Sequence, residues 1–442
     1  MFVLPPQVEF AINKLTAAGY EAYIVGGCVR DVMRLAEPSD YDITTSALPE
    51  QVIAVFKGEK IIETGLKHGT VTLLKEGMPL EITTYRIDGD YTDNRRPNSV
   101  TFTANIKEDL ARRDFTVNAM AFSPKIGIVD AFGGKKDLKN GIIRSVGDAD
   151  RRFNEDALRI MRALRFASVL GFTIAEETKK SIIKNRELLK NISAERIAAE
   201  LIKLLCGKNA KDIILEYYEV LEVILPEIKG MQGFDQKNRW HIYDVLTHTA
   251  VAVENTPSIP ALKLAALLHD CGKPDTFFTD DKGVGHFYGH PEISFKKAKT
   301  AFARLKLDNA TTELALTLIK YHDTPIEPTE KAVKRALNKI TPDVFFSLLD
   351  IKRADNLAQN PELTADALVT IDTLGKIAKE IIEKGDCFSL KDLAVNGNDL
   401  INAGIPAGKE LGKALDFLLD AVISERVKNE KQALLSYLNI LL

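Results

Sequence analysis

Two aspartates separated by one residue, Asp40 and Asp42, precede an apolar, β-branched stretch from Ile43 to Thr45. Side chains alternate between the two faces of a β-strand, so both carboxylates would lie on one face and Tyr41 on the other. Adjacent carboxylates repel each other unless cations lie between them. Mg²⁺ prefers carboxylate oxygens together with substrate phosphates, and two such ions about 3.5–4 Å apart support in-line attack at phosphorus. The pair therefore predicts a magnesium site for chemistry at phosphate.

Residues that suit a phosphate ligand lie close to this pair in the sequence. Gly26 and Gly27 end an apolar strand and precede a helical stretch that contains Arg30, so backbone N–H groups at the helix start could face phosphates. A tight turn is the alternative for a Gly-Gly pair. The G-x-G-x-x-G spacing is absent, which disfavours a dinucleotide fold. Glu81, on another predicted strand, either completes the metal site or is a solvated residue.

Clustered arginines and one aspartate form a second group. Guanidinium forks match phosphate oxygens, so Arg112 and Arg113 suit a polyphosphate, although a surface pair at a helix end is the alternative. Farther along the chain, three-residue spacing places Asp156 and Arg159 on one face of a helix predicted from Asn154 onward. That pair is either a surface salt bridge or a recognition element.

Six of the seven histidines lie between His241 and His322. The order of His248, His269-Asp270 and Asp355 resembles the HD metal-dependent phosphohydrolase superfamily. Mixed nitrogen and oxygen ligands suit a borderline divalent metal whose identity the sequence does not give. These four residues are the predicted metal ligands, and Lys273 could contact a phosphate ester. His290 and His322 are either ligands of a second metal or ordinary surface histidines.

The elements that must position these residues change in character along the chain. Short β-branched runs alternate with short helical stretches up to about residue 145, and from Ile143 onward the strands stop. Apolar residues then recur at three- and four-residue spacing, which indicates amphipathic helices to the C-terminus. The sequence therefore predicts an α+β fold with a mixed β-sheet followed by an all-α part.

Composition sets limits on the kind of protein this is. The 442 residues are 45% apolar and 27% charged, which excludes fibrous and wholly disordered classes. The sequence contains no apolar run long enough for a membrane span and no basic-then-apolar leader, so we expect a cytoplasmic protein with no membrane partner. The four cysteines form no C-x-x-C pair, which disfavours a thiolate zinc site. The net charge of -3 does not favour nucleic acid, and only the segment 144–240 is positive.

Ordered motifs carry a resemblance to one family. The chain resembles class II tRNA nucleotidyltransferases, the CCA-adding enzymes and their bacterial poly(A) polymerase relatives, over roughly residues 20 to 205. The motifs are GGCVRD, DYD, GLKHGTVT, the DNRRP loop, RRDFTVNAMAF, DAFGGKKDL, NEDALRIMRALRF and SAERIAAEL. Many CCA-adding enzymes carry an HD domain, so the histidine cluster agrees with this resemblance.

The resemblance implies a role for each matching position. Asp40 and Asp42 would be catalytic and hold Mg²⁺, and Asp156 and Arg159 would be the protein template for the incoming base. The other residues implied to bind nucleotide are Gly26, Gly27, Arg30, Arg112, Arg113, Asp114, Asn118, Arg162 and Arg165. Glu195, Arg196 and Glu200 would buttress the template helix, with a surface charge lattice as the alternative.

The same resemblance implies a four-part architecture. The nucleotidyltransferase palm would form a head at residues 1–143, followed by a helical neck and body at 144–235 that carries the template and binds RNA. An HD metal-binding helical domain would occupy 236–360 and a helical tail 361–442. The expected fold class is therefore α+β, with a mixed-sheet palm followed by an all-α neck, body and tail that include the HD domain.

The expected function is addition of C, C and A to the 3′ end of tRNA from CTP and ATP, with a second HD phosphohydrolase activity. The alternatives are a poly(A) polymerase, which GLKHGTVT disfavours because that branch has a basic G-R-R-F stretch there, and an enzyme that adds only A. Enzymes of this family that add only CC usually have a shortened flexible loop. The loop from Asp88 to Pro97, with Arg95 and Arg96, is intact here, which disfavours CC-only addition. An HD phosphohydrolase with a nucleotide-binding head is an alternative of another class. The oligomeric state stays open.

Overall fold

The β-branched runs near the N-terminus form strands, as the sequence predicts. The structure is a computed structural model that describes residues 3–63, 65–89 and 99–438. The chain folds as two compact units, Met1–Pro226 and Glu227–Leu442. This finding does not address the predicted four-part division, which stays a prediction.

A seven-stranded sheet forms the centre of the first unit, in the order β3-β4-β5-β2-β1-β8-β9. Its strands are β1 (Ala22–Val25), β2 (Asp42–Thr45), β3 (Lys60–Ile62), β4 (Thr70–Lys75), β5 (Met78–Thr84), β8 (Met120–Ser123) and β9 (Gly127–Asp130). Strands β6 (Arg86–Asp88) and β7 (Val100–Phe102) form a separate ribbon, and β10 (Ile142–Ile143) pairs with β11 (Thr173–Ile174). The sheet is mixed because β2 and β5 are parallel, whereas the other neighbours are antiparallel.

Alternation along β1 divides the apolar residues between the two faces of the sheet. Ala22 and Ile24 belong to a core that includes the first three helices, and Tyr23 and Val25 belong to a second core with Tyr85. A strand whose side chains are buried on both faces is continuously apolar, as this one is. The strand therefore holds the segment after it, Gly26 onward, in a fixed position.

Helices surround and follow this sheet in the first unit. They are α1 (Pro6–Ala17), α2 (Gly27–Met33), α3 (Pro49–Val55), α4 (Ile106–Ala111), α5 (Gly134–Asn140), α6 (Ala149–Glu155), α7 (Leu158–Leu170), α8 (Glu176–Asn185), α9 (Ala194–Leu205), α10 (Ala210–Glu216) and α11 (Tyr218–Ile224). Helix α7 is buried along most of its length and packs against α9. Its burial places it where it can position side chains of the candidate site.

The second unit consists of helices and one short hairpin. Its helices are α12 (Val245–Asn255), α13 (Pro260–Leu268), α14 (Lys273–Thr276), α15 (His290–Leu305), α16 (Asn309–Tyr321), α17 (Glu330–Ile340), α18 (Pro342–Leu357), α19 (Pro361–Lys384), α20 (Gly397–Asn402), α21 (Lys409–Ile423) and α22 (Lys431–Leu438). The hairpin pairs β12 (Phe278–Thr279) with β13 (Gly285–His286).

Short 3₁₀ helices in the described part of the chain are at Leu66–His68, Thr116–Asn118, Arg186–Asn191, Pro226–Ile228 and Leu390–Asp392.

The predicted α+β class, a mixed sheet followed by helices, is confirmed. The expectation that strands stop at Ile143 is wrong in detail, because β11, β12 and β13 follow it. Two-residue strands are too short to show the alternation on which sequence analysis depends. None of the helices in the described part of the chain has the length and apolar character needed to cross a bilayer.

Candidate functional site

The aspartate pair lies at the start of β2. Asp42 is the first residue of that strand and Asp40 precedes it, and both side chains are exposed, whereas the half-buried Tyr41 packs against the core. In the parallel pairing of β2 with β5, Asp42 is directly opposite Glu81. The predicted alternation therefore holds, and Glu81 is adjacent to the pair, as a third ligand would be.

Crowding at this position changes the acidity of Asp42. Loss of hydration and the neighbouring Asp40 and Glu81 carboxylates together raise the pKa of Asp42 to about 6, although the positive charge of Arg113 opposes them. A carboxylate whose ionisation is opposed by burial and by neighbouring negative charges is one that a bound cation would stabilise. The oxygen-only donors fit Mg²⁺ or another hard divalent ion.

Gly26 and Arg113 form the side of the site next to these carboxylates. Gly26 has a φ of 83°, and a Cβ atom added there would lie 2.8 Å from Nη1 of Arg113. Glycine is therefore needed both for the backbone conformation and for the space that the guanidinium occupies. The Nε atom of Arg113 is buried and has no hydrogen-bond partner among the described residues. An unpartnered guanidinium N–H beside a glycine turn fits an anionic ligand such as a phosphate.

A chain of buried hydrogen bonds connects α2 to α7. Arg30 donates to Asn118 Oδ1 over 2.8 Å, and the Asn118 amide donates to Asp114 Oδ1 over 3.1 Å. Arg162 donates to the other oxygen of Asp114 from Nε and Nη2, over 2.8 and 2.6 Å. Four of the predicted site residues are thus joined in one network. Their contacts indicate that they position the site.

Asp109 is a functional candidate that sequence analysis missed. It is fully buried, accepts from Arg112 Nε over 2.9 Å, and lies 3.8 Å from Nη2 of Arg113. Its other oxygen contacts the hydroxyl of Thr44 on β2 over 3.2 Å. The signal was available, because Asp109 precedes the two arginines by three and four residues, the spacing of helical ion pairs. Arg112 itself is turned toward Asp109 and Asp88.

The predicted helix from Asn154 is interrupted, which corrects the expectation for Asp156 and Arg159. Helix α6 ends at Glu155, Asp156 has extended backbone angles, and α7 begins two residues later. Asp156 Oδ1 accepts from the Leu158 N–H over 3.1 Å, an acceptor role that competes with helix continuation. The two residues are therefore not neighbours on one helix face.

Each of these two side chains has a different partner. Asp156 Oδ2 accepts from Arg196 over 3.2 Å, and Arg159 pairs with Glu155 over 3.1 Å. Arg159 also donates to the carbonyl oxygen of Arg112 over 2.8 Å. The contact with Arg196 agrees with the predicted buttressing by the ERIAAEL stretch.

Phe166 is a second missed residue. Three guanidinium groups lie over its ring, with distances to the centroid of 5.1 Å for Arg30, 5.3 Å for Arg162 and 3.8 Å for Arg165. Arg165 also pairs with Glu200 over 2.5 Å, the second contact from the ERIAAEL stretch. Cations over an aromatic face are stabilised by its quadrupole, so a phenylalanine can hold arginines close together. Most of the predicted loop from Asp88 to Pro97, including Arg95 and Arg96, lies outside the described residues.

The second unit brings the predicted HD residues together. Oδ2 of Asp270 lies 3.1 Å from Nε2 of His248 and 3.2 Å from Nε2 of His269. Oδ1 of Asp355 lies 3.0 and 3.6 Å from the same two nitrogens. His248, His269 and Asp270 are buried, and Asp355 is nearly so. The side chains come from α12, the end of α13 and α18, so they join three helices.

His290 and His322 extend this cluster on the opposite side of Asp270. Their Nε2 atoms lie 3.1 Å apart, at 3.3 Å and 3.7 Å from Asp270 Oδ1. Both residues are buried, so the interpretation as ordinary surface histidines is wrong. Asp270 thus faces two groups of nitrogen ligands, one through each of its oxygens.

The hydrogen bonds of the four imidazole rings support a metal centre. Each Nδ1 atom contacts a backbone carbonyl oxygen over 2.7–3.1 Å, at Ala358, Ala266, Phe287 and Ile319. A carbonyl oxygen can only accept, so Nδ1 carries a proton and Nε2 offers its lone pair. Lone pairs that face each other at 3.1–3.3 Å repel unless a cation or a proton lies between them. The donor set and its outer hydrogen bonds therefore fit divalent metal ions.

The two carboxylates of the cluster favour a cation as well. Burial lowers the pKa of His269, but Asp270 and Asp355 outweigh it and raise that pKa to about 10. A position that attracts protons this strongly also attracts a divalent cation. Lys273, which contacts Asp270 over 2.7 Å, acts in the opposite direction, because burial together with its charge lowers the pKa of His241 to about 3.

Comparisons with known proteins identify the family. The profile described as "Poly A polymerase head domain" matches residues 22–144, "Probable RNA and SrmB-binding site of polymerase A" matches 171–231, and "tRNA nucleotidyltransferase domain 2" matches 287–438. The CCA-adding enzyme of Geobacillus thermodenitrificans is 36% identical, over 97% of this chain and 95% of that protein. The chain belongs to the CCA-adding enzyme family. It is therefore a tRNA nucleotidyltransferase.

Other relatives agree with this assignment. The CCA-adding enzyme of Lactobacillus helveticus is also 36% identical over 97% of this chain and 95% of its own length. The crystal structure of the Bacillus stearothermophilus CCA-adding enzyme in complex with CTP superposes with a TM-score of 0.74 at 31% identity, covering 99% of this chain and 98% of that one. The Thermotoga maritima CCA-adding enzyme complexed with tRNA has a TM-score of 0.62 at 22% identity, covering 99% of this chain and 97% of that one. At that identity it supports the fold alone.

The buried position of Asp114 predicts a pH-dependent contribution to stability. Burial raises its pKa, but Arg162 and Asn118 outweigh burial and lower it to about 2. A carboxyl group whose pKa falls on folding stabilises the fold at pH values above its unfolded pKa of about 3.9, and that stabilisation is lost as the pH falls toward 2. We expect Asp114→Asn to lower the opening free energy of α7 by about 2 kcal/mol at pH 7.

Native-state hydrogen exchange of the peptide covering α7 measures this change, with a peptide from α13 as an internal control in the other unit. The difference between parent and variant should shrink as the pH is lowered from 4 to 2. An unchanged difference over that range, or an equal effect in α13, would contradict the assignment.

Proposed function

We propose that this protein adds C, C and A in turn to the 3′ ends of tRNA, using CTP and ATP as substrates and divalent ions held by Asp40 and Asp42. The observation that carries the proposal is the arrangement around the Gly26 turn of Asp42, its register partner Glu81 and the Arg113 guanidinium, whose Nε has no hydrogen-bond partner among the described residues. These are carboxylates for cations and a cationic donor for phosphates, side by side. The relatives named above are CCA-adding enzymes, one of them in complex with CTP.

Each group of residues has a defined part in this function. Two divalent ions at the aspartate pair would neutralise charge on the attacking and leaving oxygens. Arg113 binds the triphosphate, and Asp109 holds the Arg113 guanidinium in position for this contact. The network from Arg30 through Asp114 to Arg162 holds α2 and α7 in fixed positions, so the site does not reorganise when substrate enters.

Base selection is assigned to Asp156 together with Arg159. A carboxylate accepts from the exocyclic amine of cytosine or adenine, and a guanidinium donates to the adjacent ring acceptor. Uracil offers an oxygen where Asp156 needs a donor, and guanine reverses the order of donor and acceptor. Mismatched polar groups in a buried site cost enough to reject the wrong base by roughly 10⁴. Arg196 and Glu155, which contact these residues, hold them in position.

The aspartate pair gives the first test of this proposal. We expect Asp40→Asn or Asp42→Asn to reduce nucleotide addition at least about 100-fold, because the loss of cation binding removes several kcal/mol of transition-state stabilisation. Binding of tRNA should change little, since phosphate contacts to RNA lie elsewhere. Initial rates with CTP and tRNA lacking CCA measure the first effect, and filter binding measures the second. Glu37→Gln, an exposed carboxylate nearby, is the control, and turnover within tenfold of the parent for both aspartate variants would refute the assignment.

Asp156 gives a test of base selection that preserves its hydrogen bond to the Leu158 N–H. Asn at this position keeps the oxygen that accepts from the Leu158 N–H but replaces the other acceptor with a donor. We expect Asp156→Asn to admit UTP and to weaken CTP and ATP together, because one carboxylate serves both amines. Values of kcat/KM for the three nucleotides measure the change.

The matched control is Asp148→Asn, since Asp148 likewise caps a helix by accepting from the Arg151 N–H. If Asp156→Asn keeps the parent selectivity, Asp156 is only a helix cap and a partner of Arg196.

The extent of addition is measured on tRNA transcripts that lack CCA, CA or A, each with labelled CTP or ATP. Extension of all three to a single CCA end supports the proposal. Extension only of the transcript that lacks A would assign A-only addition, and a long A tail would assign poly(A) polymerase activity.

We also propose a cytoplasmic location and a division into four domains at residues 1–143, 144–235, 236–360 and 361–442.

A second function is favoured by the buried histidine and aspartate cluster. We propose that this cluster holds a divalent metal through the HD residues His248, His269, Asp270 and Asp355 and that it hydrolyses phosphate esters. Its substrates would be the 2′,3′-cyclic or terminal phosphates that block a damaged tRNA 3′ end. His290 and His322 would hold a second ion through Asp270. Bound divalent ions supply Lewis acidity toward phosphate and lower the pKa of water. Lys273, next to Asp270, would contact a phosphate oxygen.

The two functions should separate by mutation. We expect His269→Gln with Asp270→Asn to remove hydrolysis of bis-p-nitrophenyl phosphate and 2′,3′-cyclic AMP while nucleotide addition persists, and Asp40→Asn to do the reverse. Assays with Ni²⁺, Mn²⁺, Co²⁺ and Mg²⁺ measure hydrolysis, and elemental analysis measures bound metal. His68→Gln, the histidine outside the clustered six, is the control. Absence of hydrolysis by the parent with every metal, or hydrolysis that survives the double substitution, would reduce the cluster to a structural feature.

A further inference from the structure

Three aromatic rings lie next to one another on the outer face of the β12–β13 hairpin. Phe278 and His286 are cross-strand partners with ring centroids 5.4 Å apart. His286 and Tyr288 are also 5.4 Å apart, with an interplanar angle of 20°. Phe278 and Tyr288 are 44% and 75% exposed. We call Phe278, His286 and Tyr288 the aromatic platform.

The hairpin that carries the aromatic platform is held firmly. Side chains alternate, so Phe277 and Phe287 point to the inner face, where their rings lie 5.5 Å apart. Gly285 donates to the Lys237 carbonyl, and a Cβ added to Gly285 would lie 2.2 Å from the carbonyl oxygen of Gln236. The aromatic platform is therefore exposed on a fixed support. Aromatic groups kept at a surface in this way indicate a binding site.

The turn of this hairpin is fixed by one carboxylate. Asp280 Oδ1 accepts from the N–H groups of Lys282 and Val284, over 2.9 Å each. Its Oδ2 atom contacts Nε2 of His286 over 3.0 Å. The imidazole ring of the platform is thus held in its orientation by the turn.

The platform borders a cavity that Asp270 and Asp355 of the HD cluster line, which we call the HD cavity. His286 and Tyr288 line this cavity together with Lys273, Asp270 and His290, and its volume is about 250 Å³. Sites that enclose a whole drug-sized ligand are usually larger, roughly 300–1,000 Å³. The cavity therefore fits a phosphate with part of a sugar, and a base attached to them would remain at the platform.

We propose that the aromatic platform binds the base of the nucleotide whose phosphate enters the HD cavity. The inference rests on the proposed hydrolase function and names its substrate class, a phosphate ester that carries a nucleobase. Every base has a π-face, so stacking on Tyr288 is tolerant of sequence. The base belongs to a free nucleotide or to the last residue of an RNA strand, which share this chemistry.

Equilibrium dialysis of labelled 3′-AMP against the full-length protein tests the proposal. It is carried out in EDTA, so that binding is measured without metal-dependent hydrolysis. We expect Tyr288→Ala to raise the Kd for 3′-AMP about tenfold. Tyr288→Phe should bind like the parent, and Tyr288→Leu, which keeps apolar area without an aromatic face, should bind like the alanine variant. Val369→Ala, an exposed apolar residue elsewhere in the same unit, is the control.

A ligand without a base separates stacking from phosphate binding. Glycerol 2-phosphate should bind the parent and Tyr288→Ala equally. The single tryptophan, Trp240, lies in the sequence between the cavity residues Asn238 and His241, so its fluorescence reports ligand in this cavity. A trinucleotide with a 3′-phosphate that binds more tightly than 3′-AMP would assign the platform to RNA ends, and equal binding would assign it to free nucleotides.

A change in Kd of less than twofold in Tyr288→Ala, or an equal loss for glycerol 2-phosphate, would overturn the proposal. Either result leaves the hydrolase itself standing if the His269 and Asp270 variants lose hydrolysis. If the parent hydrolyses nothing but 3′-AMP binding still depends on Tyr288, the platform stands as a nucleotide-binding surface and the hydrolase function fails.

Discussion

Buried carboxylates that neutralise crowded arginines are the constraint on which the first unit depends. A pocket for a polyphosphate needs several positive charges close together, and those charges repel one another when no substrate is present. Asp114 pairs with Arg162, Glu200 with Arg165, and Asp109 with both Arg112 and Arg113. Removing one carboxylate would leave a buried guanidinium uncompensated, which costs more than the pair itself contributes.

This arrangement also explains why the site spans several elements. Asp109 lies on α4 and contacts Thr44 on β2, so Arg113, the proposed phosphate ligand, is fixed to the strand that carries Asp42. Asn118 and Asp114 connect Arg30 by hydrogen bonds to Arg162 on α7. A substrate that bound at Arg113, as proposed, would therefore meet groups already in place. Catalysis by fixed charges requires this preorganisation.

The arrangement of side chains could be predicted from the sequence where residue type and local spacing determine it. The alternation that exposes Asp40 and Asp42 while Tyr41 packs inward follows from the period of a strand, and the histidine cluster follows from its unusual density in the sequence. The partners of Asp156 could not be derived in that way. Its spacing to Arg159 predicts a shared helix face, but the side chain competes for a backbone N–H, ends α6 and turns to Arg196.

Residues that act through long-range contacts were the ones that sequence analysis missed. Phe166 looks like any apolar residue of an amphipathic helix, and only the fold brings Arg30 over its ring. The aromatic platform is similar, because two-residue strands give no periodic signal and the pairing of Phe278 with His286 depends on the turn between them.

The two proposed metal sites illustrate the same physical rule in opposite surroundings. In the head, carboxylate oxygens lie at an exposed strand end, where water can complete the coordination of a hard ion such as Mg²⁺. In the second unit, imidazole nitrogens are buried and each ring is fixed by a backbone carbonyl, so the ligands are held in place before a metal binds. An exposed oxygen site exchanges its ions and accepts them together with a nucleotide, whereas a buried nitrogen site retains them. The first arrangement suits a transferase whose metal arrives with each substrate, and the second suits a resident hydrolytic centre.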